Sequence, residues 1–330
     1  MEAFQWLRAA FWSEKFWWAK GLGWESMNAP NYPDFRDMNY IPFALAVLIL
    51  IARLAFERLI ARPLGVWLGV PPDSNMTIHS AIEWIHRLLT GNSRTARGVA
   101  RPRMEKFCES SWRFAYYFSI WCYGWWALYD KPYLVDQDEC WRNWPFQTVP
   151  WEIRWYYMIQ SAFYWSLMIS ALFDVKRKDF WMMLVHHMAT LALLSFSWVS
   201  NFVRIGALIL LLHDTVDIFL ELGKLFRYAE KRMMCNCVAV FFAVAWLLTR
   251  LYLFPVRLVY STLFRAPHLV AQLPLSYYLF NGLLLLLQVL HIVWSFMIVQ
   301  SLWIGWQGGM ANDARSDDEQ SDDERSKKAK

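Results

Sequence analysis

Residues 180–224 read FWMMLVHHMATLALLSFSWVSNFVRIGALILLLHDTVDIFLELGK, and this stretch decides the fold. Two apolar runs within it, 180–200 and 204–222, each approach the roughly 20 residues that carry a helix across a bilayer. Only a few residues join them, so the two helices must turn back and pack antiparallel. Working outward, comparable runs lie at about 41–60, 112–129, 153–173, 238–261 and 277–303. The whole chain agrees: 57% of its 330 residues are apolar and 18% charged, and 22 Trp with 15 Tyr supply the residues that settle at membrane interfaces. An ordinary soluble domain is excluded. The expectation is an all-α polytopic membrane protein of about seven transmembrane helices.

The segments divide the chain into five parts. Residues 1–40 read as an amphipathic segment lying in one leaflet, without the apolar core and cleavage site of a signal peptide. Residues 41–62 form the first span, 63–106 a short loop, 107–303 the membrane domain and 304–330 a disordered tail of mixed charge. The five cysteines show neither a CxxC pair nor zinc spacing, so neither a disulfide framework nor a metal site is indicated.

Orientation follows from the basic residues. Arg62, Arg87, Arg94, Arg97, Arg101, Arg103 and Lys106 crowd the connection after the first span, which marks it as cytosolic and the N-terminus as lumenal. Alternation then puts Lys176-Arg177-Lys178, the group Lys224, Arg227, Lys231 and Arg232, and the C-terminal tail in the cytosol as well. The tail 312–330 holds 7 acids and 5 bases, so residues 1–311 carry +7, concentrated in these clusters. The sequon Asn75-Met76-Thr77 falls on the cytosolic side, where it stays unglycosylated. The chain closes on Lys327-Lys328-Ala329-Lys330, similar to a dilysine address for the endoplasmic reticulum.

Ionisable groups inside spans are costly and usually face a working cavity. On the fourth span, at 100° per residue, Asp179, His186, Thr190, Ser197 and Asn201 fall within an arc of about 60°, with His187 to one side. On the fifth, His213, Asp214, Asp217, Glu221 and Lys224 fall within about 100°. Imidazole exchanges a proton near neutral pH, and a neighbouring carboxylate fixes its tautomer and raises its basicity. The cluster suits acyl transfer to an amine or alcohol, with a His as general base or as a nucleophile that forms an acyl-imidazole. Two other readings compete: interhelical hydrogen bonding in a non-enzymatic lipid-binding or trafficking protein, and bis-histidine haem ligation. His291, beside Gln288 and Asn281, reads as a structural donor. Arg250 and Arg257 read as partners for the buried carboxylates.

At these residues the sequence resembles the ceramide synthases, the longevity-assurance group of TLC-domain proteins. The likeness is carried by Tyr164-Trp165-Ser166, Asp174, Lys176-Arg177-Lys178-Asp179-Phe180, His186-His187, Asn201, Arg204, Gly206, His213-Asp214, Asp217, Glu221 and Lys224. Lys106-Phe107-Cys108-Glu109-Ser110, Trp112-Arg113-Phe114, Cys140-Trp141, Pro145-Phe146 and Asp313 to Glu319 extend it. Many animal members carry a homeodomain-like module between the first two spans. Here that stretch is short and broken by Pro71-Pro72, Gly91, Gly98 and Pro102, so no complete module and no nucleic-acid binding is expected.

The resemblance implies a sphingoid base N-acyltransferase of the endoplasmic reticulum membrane that takes fatty acyl-CoA as co-substrate and needs no cofactor or metal. It implies His186, His187, His213, Asp214 and Asp217 as the catalytic set, with His186 attacking the thioester or deprotonating the amine and Asp217 orienting it. Tyr164, Asn201, Arg204 and Glu221 are the expected substrate contacts, and Lys176, Arg177, Lys178, Lys224 and Arg227 the expected contacts to CoA phosphates. The resemblance also points to 261–271 as a determinant of acyl length and to dimers with itself or related synthases. Ser316 and Ser321, each followed by acidic residues, are the expected phosphorylation sites.

Overall fold

The structure is a computed structural model that describes residues 2–27, 32–71, 103–173 and 180–307. Helix α1 (Glu2–Phe11) is followed by a single turn at Glu14–Trp17. Seven long helices follow among the described residues: α2 (Phe35–Phe56, continued through Glu57–Ala61 to Trp67), α3 (Arg103–Leu128), α4 (Trp151–Phe173), α5 (Phe180–Val199), α6 (Val203–Tyr228), α7 (Arg232–Trp246, continued to Leu269) and α8 (Leu275–Trp306). Each expected apolar run coincides with one of them, 112–129 and 180–200 overrunning the helix end by one residue. Most of the helices outrun the apolar runs, α2 by about two turns at its C-terminal end, because composition marks the apolar part of a helix and not its polar ends. α5, the stretch Arg232–Leu269 and Leu275–Trp303 are long and apolar enough to cross a membrane.

Six of the helices close a ring in the order α3, α6, α7, α8, α5 and α4, and α2 packs outside against α4 and α5. The apolar core fills the ring, while Val47, Ile51, Phe241, Val244, Val289 and Phe296 face outward as a lipid-facing surface would. In α7 the α-helical register gives way to a π-helix over Leu247–Val259, where Pro255, lacking an N–H, is accommodated. The wider turn brings Arg250 into the ring, 4% exposed, and leaves Arg257 on the outside. The expected pairing of Arg257 with buried carboxylates therefore does not occur among the described residues.

One end of the ring is capped by residues 130–150, the loop expected on the lumenal side. Asn201, in the left-handed region at φ 53°, makes the turn between α5 and α6. Its amide donates to the carbonyls of Pro145 (2.6 Å) and Gln147 (2.8 Å). The indole of Trp144 donates to the Ser200 carbonyl at 2.9 Å, and that of Trp141 to Ser261 Oγ at 2.9 Å. The N-terminal segment reaches the same end. Trp17 and Trp18 are buried beside Phe196 and Val199, so this part is packed into the bundle rather than lying wholly at an interface, while Phe4, Trp6 and Trp12 stay exposed.

Candidate active site

α5 and α6 run antiparallel but are not neighbours in the ring: in place of the expected packed pair they stand across one narrow cavity, which His213 alone of the α6 stripe lines. His186, Thr190 and Ser197 line it from α5, and Gly206, Ile209, Leu210 and His213 from α6. Tyr157 and Tyr164 close it from α4, and Phe280, Leu284 and Leu287 from α8. Apart from the two histidines and the hydroxyl-bearing Tyr157, Tyr164, Thr190 and Ser197, the wall is apolar. Eleven residues separate His186 from Ser197, which is about 16 Å along the helix.

His213 Nδ1 lies 2.7 Å from the Ile209 carbonyl, one turn back on its own helix. A carbonyl only accepts, so Nδ1 carries a proton, and in the neutral ring Nε2 is the nitrogen that presents a lone pair. The His186 ring sits 5.6 Å from that of His187 and 5.2 Å, edge to face, from Trp294 of α8. His187 turns toward α4, its ring 6.3 Å from Tyr164, and does not line the cavity.

The two aspartates differ in surroundings. Asp214 is fully buried on the α4 side, where its Oδ2 accepts from Gln160 Nε2 and from Tyr156 Oη (3.2 Å). Asp217, one turn below His213, lies 3.6 Å from the Arg250 guanidinium, the partner expected for that arginine. Arg250 also donates to the His213 carbonyl at 2.8 Å.

At the end of α6 expected to face the cytosol, Glu221 holds Lys224 at 3.2 Å and lies 4.0 Å from Arg113, which also pairs with Glu109. Lys224 and Arg227 are both buried. Asn201 and Arg204, the latter bonded to the Glu139 carbonyl at 2.8 Å, sit at the capped end and organise the loop instead of joining the histidines. Asp174, Lys176, Arg177, Lys178, Asp179, Ser316 and Ser321 lie outside the described residues. Among the described residues, no three His, Cys, Asp or Glu side chains gather as a metal site would require.

The sequence reading passed over Gln160, Tyr156, Trp294 and the position of His291. Tyr156, Gln160 and Tyr164 recur every four residues on one face of α4, a polar stripe visible in sequence once uncharged groups are counted.

The ring of helices and its histidine cavity define a membrane protein of the TLC-domain class: residues 106–300 match that domain. Ceramide synthase 5 of Mus musculus is 38% identical over 93% of this chain and 81% of its own length. Ceramide synthase 4 of Homo sapiens is 36% identical over 94% and 86%, and ceramide synthase hyl-1 of Caenorhabditis elegans 37% over 94% and 85%. The chain belongs to the ceramide synthase family.

Proposed function

We propose that the chain transfers a fatty acyl group from acyl-CoA to the amine of a sphingoid base, forming ceramide or dihydroceramide. The carrying observation is that His186 and His213, from different helices, border one cavity whose remaining wall is mostly apolar. The acyl chain occupies the apolar part, its thioester beside the histidines and its tail toward Tyr157. The amine attacks the carbonyl carbon, the C–N bond forms, the C–S bond breaks and CoA leaves as the thiol. A histidine Nε2 takes the amine proton, or first accepts the acyl group itself as an acyl-imidazole. Asp217 orients the imidazole and Asp214 sets the field from the α4 side. Burial keeps water from the thioester.

The seven helices are read as seven spans in the endoplasmic reticulum membrane, the N-terminus lumenal and the tail cytosolic. CoA then approaches from the end of α6 that carries Lys224 and Arg227, and Lys176, Arg177 and Lys178 are read from the sequence as further contacts to its phosphates. A dimer and phosphorylation of Ser316 and Ser321 complete the reading.

The test uses the purified full chain with sphinganine and a panel of acyl-CoAs, together with a visible spectrum. Dihydroceramide formation without a haem band supports the reading. A folded preparation that makes none overturns it, and a haem band would restore the electron-carrier alternative. Intact-mass analysis after acyl-CoA alone separates the two roles of histidine, since a stable acyl adduct marks the nucleophile.

A further inference from the structure

His291 of α8 stands fully buried against the site, its ring 5.2 Å from that of His213. We infer that Arg250 and His291 are positioning residues, which hold His213 and Asp217 in register on one turn of α6. The inference rests on the site reading given above.

Arg250 serves three acceptors. Its Nη2 donates to the His213 carbonyl at 2.8 Å and lies 3.6 Å from Asp217 Oδ2, and its Nη1 lies 3.4 Å from His291 Nε2. In an α-helix the carbonyl of residue 213 also receives the N–H of residue 217. The guanidinium therefore grips the single turn that sets the angle between the imidazole of His213 and the carboxylate of Asp217.

A guanidinium has donors only, so His291 Nε2 is the acceptor and its proton sits on Nδ1. His291 is thereby fixed as a neutral tautomer. Its carbonyl accepts from Ser295 Oγ at 2.7 Å, and Ser295 Oγ accepts from the indole of Trp246 at 2.9 Å. Trp246 lies one turn before Arg250 and places its ring 5.6 Å from the guanidinium. The contacts close a loop, Arg250 to His291 to Ser295 to Trp246 and back, which ties the grip to both α7 and α8. A residue needed only to fill space at 291 would not require a nitrogen acceptor.

The experiment compares His291→Phe, His291→Gln and Arg250→Lys in the purified full chain, reading kcat, KM for each substrate and thermal midpoint. His291→Phe keeps a ring and removes the acceptor. Its kcat should fall about 10²-fold, the scale of a 1 Å misplacement, with both KM values and the midpoint near wild type. His291→Gln, whose Oε1 accepts from the guanidinium, should recover most of that loss. Arg250→Lys cannot reach three acceptors and should lose as much as His291→Phe, and combining the two should cost little more. Wild-type kcat in His291→Phe overturns the inference. So does equal impairment of the Phe and Gln variants with a lowered midpoint, which marks packing alone. Asp217→Asn is the control: if it keeps wild-type activity, the site reading fails, whereas normal His291→Phe beside a dead Asp217→Asn removes only this inference.

Discussion

The hydroxyl of Tyr157 occupies the place where Gly206 would put a Cβ. The phenol is fully buried, donating to the Val203 carbonyl at 3.2 Å and resting 3.3 Å from Ser197 Oγ, so it forms the far wall of the cavity.

Gly206→Ala should therefore push the ring into the cavity. Overpacking of this kind costs about 1–3 kcal/mol. Thermal unfolding of the purified chain should show the loss, and the rate with long acyl-CoAs should fall more than with short ones. Adding Tyr157→Phe removes the clashing oxygen and should recover part of both.

His186→Ala and His213→Ala should each lower kcat by about 10²–10⁴-fold, the range for loss of a positioned acid–base group. Asp217→Ala should fall with them. His187→Ala, whose ring turns to Tyr164, should lose less. Dihydroceramide formation at saturating substrate, with a melting curve for each variant, checks the order.

The α5–α6 hairpin was legible because apolar runs, a short connection and polar stripes at helical spacing all agree on it. The direction of Asp214 was not. Its neighbour His213 is only one residue away, and a 100° step is enough to carry a side chain from the cavity to the next helix. Asn201 falls on the α5 stripe by angle but at the capped end by depth, which angular arithmetic ignores, and Arg204 lies outside the α6 arc altogether. His291 joins the site only because α8 packs beside α7 in the ring, a tertiary fact with no local signature. The inward turn of Arg250 likewise depends on a π-helix that no pattern of apolar residues announces.

Gln160→Leu should leave the buried Asp214 with the Tyr156 hydroxyl as its remaining donor among the described residues. Stranding a buried acceptor costs about 1–3 kcal/mol, more when it is charged. The thermal midpoint and kcat should drop together, and Gln160→Glu, which sets two carboxylates side by side, should be worse.

Asp138 ties the capping loop to the end of α7 through Arg265, whose Nε donates to Oδ1 at 2.9 Å. The hydrogen bond from Arg265 holds the Asp138 carboxyl below its ordinary value of 3.8. A lowered folded pKa gives a contribution present above the unfolded value and lost as pH falls through the folded one. The small difference in thermal midpoint between wild type and Asp138→Asn should thus be constant from pH 7 to pH 5. It should vanish only below about pH 3.8, the unfolded carboxylate value.

Trp17 accepts a hydrogen bond from Ser276 at 3.5 Å and packs its ring 5.4 Å from Phe196. During translation residue 17 emerges long before either partner, so its seat does not exist when it is made. The exposed Phe4, Trp6 and Trp12 give the segment a place to wait at the bilayer surface. The seat of Trp17 is complete only once the final helix has arrived, and the segment then stitches α5 to α8.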